Sequence, residues 1–261
     1  MDFAAYKTEF DRDGFVVVPK FLTCDGFAGL TGELDRYIRE VVPTLPDSDA
    51  FYQDRSRAET LTQMQHMGSD PFFEGYRRHP RWTALAEALL NEPVDPQAPE
   101  WFNKPPGTTR PTPPHQDNYY FNLRPPNTVS LWLALDSVDE ENGCLRYVAG
   151  SQRRGRRPHA LTSVLGFSQG ITDYGPEDGS REVAIKLEPG DVAAHHCEVI
   201  HRADPNGSPT RSRRAFAMVI HGESCRLDEE ASRRYREAAR KQHESMGLQP
   251  GAVQGVPADE V

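Results

Sequence analysis

The chain has 261 residues, 37 % hydrophobic and 26 % charged, enough to bury a full core as one large domain or two small ones. Thirty basic against thirty-nine acidic residues leave a net charge of −9, which excludes a protein built to displace counterions from nucleic acid. No apolar run approaches the ~18–20 residues of a membrane span, the N-terminus lacks a signal-peptide layout, the ADEV ending is not a peroxisomal or retention tail, and Cys24, Cys144, Cys197 and Cys225 stand singly, so a reduced, cytoplasmic protein is expected.

Residues 8–21 contain FDRDGFVVVPKF, which predicts a short strand closed by a proline. Phe27, Leu30, Leu34, Tyr37 and Val41 then recur at spacings of three and four, one face of a helix starting after Thr23. Residues 42–60 are rich in proline and aspartate and are expected as a loop, long enough to serve as a lid. Trp82, Leu85, Ala86, Leu89 and Leu90 predict a second amphipathic helix ending near Pro93. From about 100 to 222 the period becomes two. In TVSLWLALDSV, Val129, Leu131, Leu133 and Leu135 take one face, and Ser130, Trp132, Ala134 and Asp136 the other. Strand-like runs follow at 144–148, 182–188, 191–197 and 214–221. Short strands at this spacing predict a mainly β protein with flanking helices, a sandwich or jelly roll. The pattern is read as one domain over 1–261, with a helical part at about 1–95, a β core at about 100–222, and a charged helix and tail at about 226–261. Residues 248–261 read as a loose end.

The sharpest local signal is PTPPHQDNYYF. On an extended segment His115 and Asp117, at i and i+2, point the same way. One imidazole and one carboxylate are two of the three ligands of a facial triad, which leaves metal positions open. The third would be a distant histidine. GDVAAHHCEVIHRADPN offers His195, His196 and His201; the first two face opposite sides of a strand, and the last stands at a strand end. His159, His221 and His243 have no partner pattern and are read as structural. In TRSRRAFAMVIHG, Arg213 shares a face with the small Ala215 and Ala217, whereas Arg214 shares the opposite face with Phe216 and Met218. A guanidinium inside a barrel needs an anion, and a bidentate carboxylate suits it.

HxD, a distant His and an Arg about a dozen positions later resemble the iron(II)/2-oxoglutarate oxygenases, and more narrowly the phytanoyl-CoA dioxygenase family. The matching stretches run in order through DRDGFVVVPKFLT, NKPPG at 103–107, HQDNYYF at 115–121, residues 130–151, residues 188–208 and RRA at 213–215. The resemblance implies a double-stranded β-helix, a cupin-like jelly roll. It implies His115, Asp117 and His201 as iron ligands, Arg213 as the partner of the far carboxylate of 2-oxoglutarate, Trp132 as an aromatic lining that co-substrate, and Gln63 as a further co-substrate contact. It also implies O2 as a reactant. The expected reaction is hydroxylation of an unactivated C–H bond of a small-molecule substrate, anionic or acyl among the options, with release of succinate and CO2. Gln65, His66, Tyr119, Tyr120 and Arg146 are candidate substrate contacts. Asp117 stands where halogenating relatives carry a small residue, which argues for hydroxylation. Departures from the usual pattern are a turn about one residue longer before Arg213, Ala203 in place of a hydroxyl residue, and GSQ at 150–152 in place of GSH. Desaturation, epoxidation or cyclisation on the same iron, a metal-keeping binding protein, and a cupin-like hydrolase or isomerase with zinc or manganese are the competing readings. No nucleic-acid or membrane partner is expected, and the oligomeric state is left open.

Overall fold

The structure is a computed structural model and describes residues 2–108, 110–164 and 167–245. The stretch expected as a lone first strand divides in two. Helix α1 (Lys7–Asp13) ends at Gly14, whose φ of 84° turns the chain into strand β1 (Phe15–Val18). Only glycine takes that conformation without strain, and a Cβ there would also meet the Gln152 side chain. Helix α2 (Cys24–Glu40) starts where the periodicity places it, with the Thr23 hydroxyl accepting from the Gly26 N–H. The stretch expected as loop over 42–60 carries the short strand β2 (Ala50–Tyr52), paired with β3 (Leu61–Met64). Helix α3 (Pro71–Tyr76) precedes α4 (Pro80–Leu90), which buries Trp82, Leu85, Ala86, Leu89 and Leu90.

The β-rich part runs β4 (Val94–Pro96), β5 (Glu100–Lys104) and β6 (Thr112–His115), then the single turn α5 (Asn118–Phe121). It continues with β7 (Leu123–Arg124), β8 (Thr128–Ala134), β9 (Leu145–Val148), and the hairpin β10 (His159–Val164) and β11 (Phe167–Ile171). The turn α6 (Pro176–Gly179) leads to β12 (Glu182–Ala184), β13 (Val192–His196), β14 (His201–Ala203), β15 (Arg213–Gly222), β16 (Arg226–Leu227) and helix α7 (Glu229–Ser245). The strand expected over 182–188 shortens to β12, and the loose end expected at 248–261 lies outside the described residues.

The result is an antiparallel jelly roll. A large sheet has the order β1-β13-β8-β15-β5-β3-β2, with β4 also on β15, and a smaller sheet has the order β12-β9-β14-β6. On the large sheet Val129, Leu131, Leu133, Phe216, Met218 and Ile220 meet Leu30, Leu34, Tyr37, Trp82 and Leu85 of the helices in one buried cluster. The other face, with Trp132, Ala134, Ala193, Ala215 and Ala217, meets Leu145, Tyr147 and Ala203 of the smaller sheet in a second cluster. β8 is buried along its whole length, because helices cover one side and the second sheet the other. No described helix is long and apolar enough to cross a membrane.

Candidate active site

The space between the sheets opens into a cavity of about 400 Å³, within the usual range for a small-molecule site. His115, Asp117 and His201 stand together in its wall, one ligand atom from each lying within 4.8 Å of the others. β6 and β14 are adjacent, and His115 sits directly opposite His201 in the register. Asp117 arrives differently from the sequence expectation. The strand ends at His115, and Asp117 is helical (φ −57°, ψ −36°), so a turn into α5 aims its carboxylate, not strand alternation.

Hydrogen bonds set the ligand atoms. The Nδ1–H of His115 donates to Pro113 O at 2.8 Å and that of His201 to Val199 O at 3.1 Å. Each Nε2 lone pair is thereby left facing the carboxylate, at 3.5 and 3.4 Å from Asp117 Oδ1. The other carboxylate oxygen is held from the large sheet: Ser130 Oγ–H donates to Oδ2 at 2.7 Å, and His195 Nε2–H at 3.0 Å. Tyr147 O–H in turn donates to His195 Nδ1 at 2.9 Å. Oδ1 is thus left for a metal, and Oδ2 is a fixed point. Burial works against the Asp117 charge, but His201, His115 and His195 around it more than offset this and hold its carboxyl well below its ordinary range. His201 is pushed well below its own, by burial first and by His115 next. An ionised carboxylate and a neutral imidazole are the protonation states a metal requires.

Arg213, at the start of β15, points into the same cavity and is 5 % exposed. Among the described residues it makes no ion pair, its Nε is buried without a partner, and its guanidinium lies over the Trp132 ring at 5.1 Å. Burial pushes it down to about 10. Arg214 turns outward and holds Asp136 at 2.7 Å, as the strand alternation requires. Lys104 is opposite Arg213 in the register and also lines the cavity. It donates to Asp204 O at 2.6 Å and Ala203 O at 3.3 Å, while burial and then Arg213 press its ammonium down to about 6.

The remaining sequence candidates divide. Trp132, Gln63 and Tyr120 line the cavity, although Gln63 donates to Glu100 at 3.3 Å and not toward Arg213, and Tyr120 spends its hydroxyl on Gln169 O at 2.7 Å. Four substrate candidates do not line it. Gln65 is buried in the body of the protein, its N–H bonded to Asp49 O. Tyr119 stacks on His159 with ring centroids 4.1 Å apart. Arg146 faces away and pairs with Asp204 at 2.7 Å and Glu140 at 3.2 Å, because its register position on β9 alternates against Tyr147, which points inward. His66 likewise does not line it and pairs with Asp49 at 3.0 Å. His196 is packed on Phe10 and accepts from the Glu198 N–H. Three residues with clear geometric roles are not singled out by the sequence: Ser130, Lys104 and Glu100; only the polar side of β8 hints at the first. His195, offered there as a third ligand, instead holds Asp117 Oδ2. The stretch 42–60 already reaches the cavity, where Tyr52 and Gln53 line it and Gln53 Nε2 donates to Thr108 Oγ1 at 2.8 Å across the mouth.

Solved structures with this jelly-roll fold include EctD from S. alaskensis with 2-oxoglutarate and 5-hydroxyectoine (TM-score 0.69, 20 % identity, covering 86 % of this chain and 78 % of that one). They also include the epimerase SnoN in complex with Fe3+, alpha ketoglutarate and nogalamycin RO (TM-score 0.68, 21 % identity, covering 86 % of this chain and 85 % of that one). The phytanoyl-CoA dioxygenase (PhyH) family model matches residues 10–215, and the chain belongs to that family. Its relatives include the peroxisomal phytanoyl-CoA dioxygenase of Rattus norvegicus, 27 % identical over 211 residues. That match covers 76 % of this chain and 62 % of the relative, so the chain spans less than two thirds of the relative's length.

Proposed function

We propose that the protein is an iron(II)/2-oxoglutarate-dependent oxygenase that hydroxylates an unactivated C–H bond of a small molecule, with succinate and CO2 as co-products. The carrying observation is Arg213: a buried guanidinium with no anion among the described residues, in the same cavity as a His-Asp-His cluster. A bare metal site has no use for such a group, and an unpaired buried charge is costly. A dicarboxylate that reaches the metal with one end and Arg213 with the other satisfies both.

The residues present fit an iron ion. His115 Nε2, Asp117 Oδ1 and His201 Nε2 form a two-histidine, one-carboxylate set with the other nitrogens already bonded to backbone carbonyls. Bound iron with 2-oxoglutarate would supply the oxidising chemistry, coupling decarboxylation of the keto acid to insertion of one oxygen atom into a C–H bond. The chain does the rest. Ser130 and His195 keep Asp117 Oδ2 turned away from the metal position. Arg213 over Trp132 makes a cationic end that receives the distal carboxylate, which relieves the cost of burying that charge and favours protonation of Lys104 opposite it. Tyr120 and Phe121 wall the cavity against water. The ligand set does not choose between hydroxylation and desaturation, epoxidation or cyclisation; the position of the substrate carbon does. Small molecules are the expected partners, and a cytoplasmic location is our reading of the four free thiols.

The test is an anaerobic titration of metal-free protein with iron(II) and then 2-oxoglutarate. Growth of a weak visible charge-transfer band that saturates near one equivalent supports the reading. Folded, iron-loaded protein without the band overturns it and brings the cupin-like hydrolase or binding protein forward.

A further inference from the structure

The cavity wall also holds an acid without a charged partner among the described residues. Glu100 on β5 lines the wall opposite Ala217, whose methyl leaves space in front of it. Among the described residues its carboxylate has no cationic partner; its one hydrogen bond comes from the Gln63 amide at 3.3 Å. Glu100 and Lys104 are four residues apart on the strand, a separation of about 13 Å along it, so the acidic and cationic ends do not neutralise each other. Between and around them Phe102, Tyr52, Tyr120 and Phe121 supply aromatic surface.

We propose that Glu100, held by Gln63, is the specificity-determining group for the primary substrate, and that this substrate is a compact molecule carrying a protonated amine. The inference rests on the oxygenase reading for the word substrate, but the recognition chemistry stands on the cavity alone. Burial drives the Glu100 carboxyl up to about 7, with Gln63 and then His66 pulling the other way. A neutral hydroxyl would leave that desolvation cost in place; an ammonium removes it. Aromatic walls suit a cation and its carbon body alike. The same carboxylate repels anions, so a free carboxylate, or the phosphates of a coenzyme A thioester such as the rat relative's name indicates, is disfavoured at this wall. A cavity of about 400 Å³ sets the size.

The experiment uses three matched probes, cyclohexylamine, cyclohexanol and cyclohexanecarboxylate, added to protein loaded anaerobically with iron(II) and saturating 2-oxoglutarate. Affinity is read by calorimetry and by the shift of the charge-transfer band. The amine is expected to bind at least tenfold tighter than the other two. Glu100→Gln should erase that preference, and Glu100→Asp should keep part of it. No preference in the wild type overturns the proposal. So does a preference that survives Glu100→Gln, which would mean that the amine goes to the metal. Should Glu100→Gln not fold, the wild-type series and Glu100→Asp decide. If the band never forms, the oxygenase reading falls separately. The same series is then read on metal-free protein by tryptophan fluorescence, where an amine preference lost in Glu100→Gln still supports Glu100 and its absence still overturns it.

Discussion

The two faces of the large sheet use the same strands for opposite ends. On β8 and β15 the side toward the helices carries Val129, Leu131, Leu133, Phe216, Met218 and Ile220, all fully buried in the larger apolar cluster. One residue over, the side toward the second sheet carries Ser130, Trp132, Arg213, Ala215 and Ala217. Large apolar groups fill the first face, whereas small and polar ones on the second leave a cavity and line it. Stability and chemistry are thus separated by strand alternation, not by distance along the chain. A change on one face should therefore leave the function of the other standing.

That separation can be broken deliberately. Asp117→Ala should have the largest effect, lowering iron retention at least ~100-fold, while the metal-free protein stays folded with a lower thermal midpoint, because Ser130 and His195 lose the carboxylate they donate to; metal content after gel filtration checks the first and calorimetry the second. Phe216→Ala on the opposite face should cost about 3–5 kcal/mol of stability in urea unfolding, yet folded protein should still give the charge-transfer band. Arg213→Ala should raise the 2-oxoglutarate concentration needed for half-saturation about 30-fold or more, the price of losing one partner of a buried charge pair. Its neighbour Arg214→Ala sharpens the contrast. It should leave that requirement unchanged and alter stability by no more than ~1 kcal/mol, because its bond to Asp136 is a half-exposed surface pair. Ser130→Ala is the subtlest. It removes one hydrogen bond to Asp117 Oδ2 and should weaken iron about tenfold, measured by competition with a chelator.

Much of this plan is legible in the sequence. Alternation over 128–136 assigns the two faces of β8, and small same-face neighbours mark Arg213 over Arg214 as the inward arginine. Helical spacing locates α2 and α4. What escapes is whatever tertiary pairing decides. β6 reads as an extended segment but not where its partner lies, since TPPH has little strand character of its own and pairs because β14 lies beside it. β3 and β5 are short and lack strict alternation. Asp117 points inward by a helical turn that its neighbours stabilise, Asn118 above all, with its side chain bonded to Leu123 and Glu198. Glu100 reads as one acid among thirty-nine until the fold closes a cavity in front of it. Arg146 misleads for the reverse reason: its sequence context suits a pocket, but its register turns it out to Asp204.

The register of His115 against His201 has a consequence for the life of the chain. The pairing joins segments far apart in sequence, and β1 near the N-terminus is completed by β13, which carries His195. Nearly every contact at the centre is therefore non-local, the topology that forms late because loop closure precedes reward. A nascent chain released before β14 and β15 has one imidazole, one carboxylate and no clamp. The three side chains of the cluster can therefore come together only once β14 has paired with β6.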